Sequence, residues 1–290
     1  MAQHDDIDDV SGVSTTGHQW DGIKELNNPL PKWWLYVFYA CIVWAIGYYF
    51  VYPSWPLLTD YTRGVLGYSQ REAALEAYQA GVEARLAKGA GLSEASLEEI
   101  QADPQMLTFA LANGKAAFGD NCAPCHGSGA TGAKGYPNLQ DDDWLWGGSL
   151  EAIHDTIRVG IRSTSEDTRD TEMPAFGRDG LLEKDQIRQV ANYVRSLSGL
   201  ETDAGLDLAL GGDVYAENCA SCHGERGEGL QDLGAPRLDD AIWLYGSDQA
   251  TIVETVTNSR KGVMPTWEGR LDPVTVKSLA IYVHSLGGGT

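Results

Sequence analysis

The pentapeptide Cys-x-x-Cys-His occurs twice in this chain, as Cys122-Ala123-Pro124-Cys125-His126 and as Cys219-Ala220-Ser221-Cys222-His223. Two thiols at this spacing can each form a thioether to a haem vinyl group, and the adjacent His then lies against the porphyrin as an axial iron ligand. A thioredoxin-like Cys-x-x-Cys needs a βαβ context, which neither copy has. A zinc site would have to join Cys pairs 97 residues apart. It would also leave unexplained why each His directly follows its second Cys. The pattern therefore predicts two covalently bound haem c groups, one on Cys122 and Cys125 with His126 on iron, the other on Cys219 and Cys222 with His223 on iron.

Haem iron that only carries electrons needs a sixth ligand. Met173 and Met264 each precede a proline and stand at matched places after the two motifs, in Met173-Pro174-Ala175-Phe176 and Met264-Pro265-Thr266-Trp267. A thioether sulfur is soft, favours Fe(II) and raises the reduction potential, and the proline stiffens the loop that presents it. Chain order pairs His126 with Met173 and His223 with Met264. Met106 has no counterpart in the repeat and reads as packing on a short helix.

The repeat extends further. Pro137-Asn138-Leu139 matches Pro236-Arg237-Leu238, and Trp144-Leu145-Trp146-Gly147 matches Trp243-Leu244-Tyr245-Gly246. The stretch Gln186–Val194 matches Thr275–Val283. The offset is 97 at the Cys motif, 99 at the Trp and 91 at the Met, so the first copy carries about eight extra residues around Ser163–Glu172, a polar stretch read as a surface loop. Two small all-α units of roughly 90 residues would each bury a modest core alone. Covalent haem becomes that core, with helix faces such as Ile187, Val190, Tyr193, Val194 and Leu197 packed around it at helical spacing. Tyr193 and Tyr282 read as packing residues near the haem edge.

Trp33 to Tyr52 is a run of twenty residues without a charge. That length crosses a bilayer as one helix. Pro31 and Pro53 bracket it, and Trp33, Trp34, Tyr36, Tyr48, Tyr49, Tyr52 and Trp55 cluster toward its ends, as interfacial aromatics do. The long polar lead, and the lack of an Ala-x-Ala site after the run, favour a retained anchor over a cleaved signal peptide. Flanking basic residues are balanced, Lys24 and Lys32 before it and Arg63 and Arg71 after it, so they do not set orientation. Because c-type haem is attached outside the bacterial cytoplasm, the expectation is a single-pass inner-membrane protein with a cytoplasmic N-terminus, including His4 and His18, and periplasmic haem domains. Cys41, inside the anchor, reads as a small apolar residue. Beyond it, Ser69-Gln70-Arg71-Glu72 reads as a capping box, Gly89 as a helix stop, and Asp103-Pro104 as the start of another helix. The expected organisation is an N-terminal segment 1–32, an anchor 33–52, a helical linker 53–104, a first haem domain 105–200 and a second 201–290.

The chain has 41 acidic and 21 basic residues. Nucleic acid would be repelled and is excluded as a partner. A basic redox protein would be attracted and steered, most strongly to 201–290, which carries a net −8 against −4 for 105–200. Within it, Glu225, Glu228, Asp232, Asp239 and Asp240 flank the second motif.

The run Trp20-Asp21-Gly22-Ile23-Lys24-Glu25-Leu26-Asn27-Asn28-Pro29-Leu30-Pro31-Lys32-Trp33-Trp34 resembles the signature of the membrane-anchored dihaem subunit of cbb3-type cytochrome c oxidase. With one anchor helix and two class I-like cytochrome c domains in tandem, the resemblance covers nearly the whole chain. It implies an electron-transfer subunit that accepts electrons from a soluble or membrane-bound cytochrome c. It passes them through two haems toward a monohaem cytochrome c subunit and the haem–copper catalytic subunit, where O2 is reduced with proton pumping. No catalytic centre is expected in this chain. By resemblance to other cytochromes c, Trp144, Trp243 and Arg237 are candidates for holding haem propionates. His154 and His284 pair with Val253 and Arg195 in the repeat, which argues against a ligand role. The alternatives are the dihaem electron-transfer subunit of another membrane oxidoreductase and, further off, a dihaem peroxidase, which would need an open iron position.

Overall fold

Trp20-Asp21-Gly22-Ile23 starts the fold with a β-turn. Asp21 and Gly22 both adopt positive φ (49° and 88°), the geometry of a two-residue hairpin connection. The strands β1 (Thr15–Trp20) and β2 (Ile23–Leu26) pair antiparallel around it, with Trp20 opposite Ile23 and Gln19 opposite Lys24. This ribbon is an addition to the expected all-α fold. The computed structural model describes residues 6–287; His4 lies outside them.

Helix α1 (Lys32–Val51) follows, one residue earlier at each end than the expected span. Its most apolar eighteen-residue stretch has a mean hydropathy of 1.6, and none of its twenty residues is buried. A helix of that length spans about 30 Å, the hydrocarbon thickness of a bilayer. It fits a single-pass membrane anchor. Its last carbonyls are met by the returning chain: Val65 N–H donates to Phe50 O (2.9 Å) and Leu66 N–H to Val51 O (3.2 Å).

The chain forms two compact units, divided between Val82 and Glu83 within α2 (Gln70–Lys88). Glu72 N–H donates to Ser69 Oγ at the start of α2, and Gly89 follows its last residue. The second unit continues with α3 (Ala90–Glu94) and α4 (Leu97–Ala102). The reciprocal capping box sits on α4, between Ser96 and Glu99. Asp103 then caps α5 (Pro104–Asn121), its Oδ1 accepting from Gln105 and Met106 N–H. Met106 lies on an 18-residue helix, not a short one. Leu92, Leu97 and Ile100 are buried with the helices that follow, and Lys277 Nζ donates to the carbonyls of Leu92, Ser93 and Ala95. The end of the expected linker is thus part of a core.

Next come α6 (Ala123–His126), α7 (Leu150–Val159), α8 (Lys184–Leu197), α9 (Leu208–Asn218), α10 (Ala220–His223), α11 (Gln249–Asn258) and α12 (Pro273–His284). They do not assemble as two successive domains. α12 packs on α5 and α7, whereas α8 packs on α9 and α11. Residues 173–258 form one continuous lobe, and it is inserted into a split lobe made of 104–160 and 262–286. The expected boundary at 200/201 lies in the link between α8 and α9, which pack on each other.

Matched glycines make both helix crossings. A Cβ on Gly114 of α5 would overlap Ser278 O and lie 2.7 Å from Tyr282 Cβ on α12. A Cβ on Gly211 of α9 would overlap Gln189 O and lie 2.9 Å from Tyr193 Cβ on α8. One turn on, Phe118 meets Tyr282 and Tyr215 meets Tyr193, at ring centroids 5.5 and 5.4 Å apart. Tyr193 and Tyr282 are packing residues, as expected. The link from α8 to α9 is short and pinned: buried Asn192 donates to Asp203 O and accepts from Asp203 N–H, and Asp207 N–H donates to Gln189 Oε1. Sequence-adjacent helices joined this tightly pack on each other by default.

Candidate haem sites

Each Cys-x-x-Cys-His motif winds into one helical turn. Cys122 precedes α6 and Cys219 precedes α10, and His126 and His223 close those turns. His126 Nδ1–H donates to Pro137 O at 3.0 Å and His223 Nδ1–H to Pro236 O at 2.9 Å. This bond fixes the tautomer that leaves Nε2 as a lone-pair donor. Burial pushes both imidazoles below their usual range, against the opposing pull of those carbonyls. Burial, and then the neighbouring thiol, pushes Cys122 and Cys219 up to about 11. A thiol held neutral is a poor zinc or redox thiolate. Among the described residues no group of three or more His, Cys, Asp or Glu is placed to hold a metal ion.

The methionines are not where chain order put them. Met264 packs in the same core as Cys122, Leu139 and Trp144. Met173 packs with Cys219, Leu238 and Trp243. Met264 therefore lies in the core that holds the first motif and Met173 in the core that holds the second, the reverse of the chain-order expectation that pairs His126 with Met173 and His223 with Met264. The exchange follows from the insertion, and the two copies achieve it with equivalent bonds. Trp267 N–H donates to Ile157 O (3.2 Å) and, at the matched place, Phe176 N–H donates to Val256 O (3.1 Å). Met264 is held further by a two-way backbone bridge to Ile161, and Met173 O accepts from Ser259 Oγ.

The polar stretch 163–172 is more than a surface insertion. It carries the chain from one lobe to the other beside the returning segment 259–263. Arg162 Nε donates to Gly262 O (2.7 Å), and Lys261 pairs with Glu172.

The indole Nε1–H groups of Trp144 and Trp243 are buried without a protein acceptor. An unpaired buried donor is costly, and an anionic carboxylate would satisfy it. These two orphaned donors fit a haem propionate. Arg237, the third propionate candidate, forks instead onto Asp239 (3.0 Å) and reaches Asp240 (3.5 Å). Asp143, on the loop leading to Trp144, has its carboxyl pushed up to about 6 by burial and by Asp240 and Asp141, with Arg237 opposing.

Comparison with known proteins gives a consistent picture. Residues 12–59 match the N-terminal domain of cytochrome oxidase-cbb3, FixP; residues 111–198 match cytochrome c; and residues 207–283 match cytochrome c oxidase, cbb3-type, subunit III. The chain is 60% identical, over the full length of both, to the cbb3-type cytochrome c oxidase subunit FixP of Bradyrhizobium sp. (strain ORS 278). It is 56% identical to the subunit CcoP of Azospirillum sp. (strain B510), with 97% of this chain and 98% of that one covered. For the subunit CcoP of Cereibacter sphaeroides the identity is 54%, with 95% of each chain covered.

Proposed function

Because the chain belongs to the FixP/CcoP family of cbb3-type cytochrome c oxidase subunits, we propose that it relays electrons through two covalent haems, bound at Cys122/Cys125 and Cys219/Cys222, with His126/Met264 and His223/Met173 as the axial pairs. Electron transfer within the oxidase, by covalently bound haem c, is the family's role. The single observation that carries the assignment is the packing of each methionine against the opposite copy's motif.

When bound, haem c supplies one-electron exchange between Fe(III) and Fe(II). The chain's own residues do the rest. The four cysteines anchor the macrocycles. Pro137 O and Pro236 O orient the imidazoles and raise their basicity as ligands. Met264 and Met173 offer soft sulfur, which favours the reduced metal and a high potential. Trp144 and Trp243 would donate to propionate oxygens, and the two apolar cores would exclude water. With a methionine in reach of each site, neither keeps the open position that a peroxidase needs.

The partners follow from the same reading. They are the haem–copper catalytic subunit and the monohaem subunit on the acceptor side, and a basic cytochrome c on the donor side. The inserted lobe faces the donor. Regrouping by lobe sharpens the charge asymmetry: residues 173–258 hold 15 acidic and 6 basic side chains, whereas 105–160 with 262–287 hold 8 and 5. The N-terminus is cytoplasmic and both lobes are periplasmic, the side on which haem c is attached.

The test is ligand exchange by mutation. Met264→His should lower the potential of the haem attached at Cys122/Cys125 and leave the other unchanged, and Met173→His should do the reverse. Assignment of each haem by its Cys→Ala variant decides the matter. A potential drop at the sequential partner would return the pairing to chain order, and no drop at either would remove both methionines as ligands.

A further inference from the structure

Two loops related by the repeat, 133–147 and 232–246, meet between the lobes. They are the loops that hold the histidines, through Pro137 and Pro236, and that carry Trp144 and Trp243. The meeting is reciprocal. Trp146 lies on Gly234 of the opposite loop so closely that a Cβ there would overlap its indole ring. Tyr245, at the position matching Trp146, lies on Gly135, where a Cβ would sit 3.3 Å from its Cε1. Gly135 and Gly234 also hold positive φ, 87° and 61°, so neither accepts a side chain without strain. Gly135 N–H donates to Leu244 O across the junction at 2.8 Å.

A guanidinium caps each ring. Arg169 Cζ lies 5.2 Å from the Trp146 ring centroid, and Arg260 Cζ lies 5.3 Å from that of Tyr245. Both distances are within cation–π range. Arg169 and Arg260 are themselves repeat equivalents and sit on the two segments that cross between the lobes. Arg169 also reaches the carbonyls of Trp146 and Ala152. Trp146 is only 9% exposed, so its side of the lock is the more tightly filled.

We propose that Trp146 and Tyr245, each held between an arginine and a glycine of the opposite loop, are positioning residues that fix the separation of the two haem groups and hence the rate of electron passage between them. The proposal rests on the two-haem reading above. The exchanged species is one electron: the ferrous iron on one side is oxidised, the ferric iron on the other is reduced, and no bond or proton moves. Tunnelling falls exponentially with distance. Both iron-facing histidines hang on the interlocked loops, so a loosened junction widens or blurs the gap directly.

The experiment uses the full chain in its oxidase complex and compares Trp146→Ala, Tyr245→Ala, the double variant and the conservative Trp146→Phe. Four quantities are measured: haem content per chain, the distance between the two ferric irons by pulsed EPR, deuterium exchange at the Gly135 amide, and electron equilibration between the haems after photoreduction. The double variant should keep both haems and wild-type potentials. Its iron–iron distance distribution should broaden, the Gly135 amide should lose protection, and equilibration should slow by about tenfold, given how sharply rates respond to misplacement. Trp146→Ala should have the larger single effect, and Trp146→Phe should stay near wild type. An unchanged distance and rate in the double variant would overturn the proposal. Loss of a haem from that variant would also overturn it, assigning the rings to haem retention. A wild-type chain carrying fewer than two haems would instead refute the two-haem reading, and the first measurement reports that separately.

Discussion

The interleaving of the lobes predicts a specific energetic coupling. Phe118 on α5 and Tyr282 on α12 are 164 residues apart in sequence, yet their rings are 5.5 Å apart at an interplanar angle of 59°. Phe118 is fully buried. Such a pair contributes about 0.5–1.5 kcal/mol beyond the area it buries. Truncating each ring to Leu, singly and together, should give an interaction energy near 1 kcal/mol. The cycle of Phe118→Leu with Tyr193→Leu, the partner that sequential domains would supply, should be additive within about 0.3–0.5 kcal/mol. The reciprocal cycle, Tyr215→Leu with Tyr193→Leu, should couple like the first, because those rings lie 5.4 Å apart. An interaction of 1 kcal/mol moves the midpoint of a unit of this size by about 2–4 °C. Thermal unfolding of the haem-loaded chain, followed by circular dichroism and by the methionine–iron absorption, resolves that shift. Coupling of Phe118 to Tyr193, with none to Tyr282, would refute the insertion and the exchanged ligand pairs together.

Other outcomes follow from particular groups. Trp144→Phe and Trp243→Phe remove a buried donor that has no protein acceptor; with a propionate as its partner, each should destabilise its haem-loaded lobe by about 1–3 kcal/mol in denaturant titrations, and no loss would exclude that partner. Asp143 binds its proton more tightly in the folded chain than in the unfolded one, so stability should decline as pH rises from about 4 toward 6. Asp143→Asn should flatten that part of the pH profile, and an unaltered profile would exclude Asp143 as its source. Mass spectrometry of the mature protein should recover peptides from before Trp33, whereas a mature N-terminus near residue 55 would make α1 a cleaved signal. Neutralising Glu225, Glu228 and Asp232 together should slow donor association and weaken its salt dependence. Changes at Asp239 and Asp240 should do less, because Arg237 already pairs with both; equal effects would place the donor at the junction instead.

The local chemistry was legible in the sequence because it is set by short spacings. Cys-x-x-Cys-His places two thiols and an imidazole on one helical turn, the spacing of a haem c motif, within five residues. Twenty uncharged residues dictate a helix long enough to span a bilayer. Asp103-Pro104 dictates a cap, with both N–H groups satisfied as expected. Even the unforeseen hairpin was written in Asp21-Gly22, a turn pair flanked by residues able to extend.

Which methionine packs beside which motif was not legible, and the repeat is the reason. Two copies of one domain present two equivalent acceptor sites, Gly114 with Phe118 and Gly211 with Tyr215, for two equivalent helices, α8 and α12. Pattern alone cannot choose between the pairings, because each helix carries the same tyrosine and the same face. The choice is made by chain connectivity in three dimensions. The short link 198–207, tied down by Asn192 and Gln189, holds α8 against α9, and α12 is left to close over α5. The sequence by itself determined that the chain has two Cys-x-x-Cys-His motifs, an apolar helix long enough to cross a bilayer and an excess of acid. Only the tertiary structure decided how the halves of each site come together, because equivalent interfaces are distinguished by reach and not by composition.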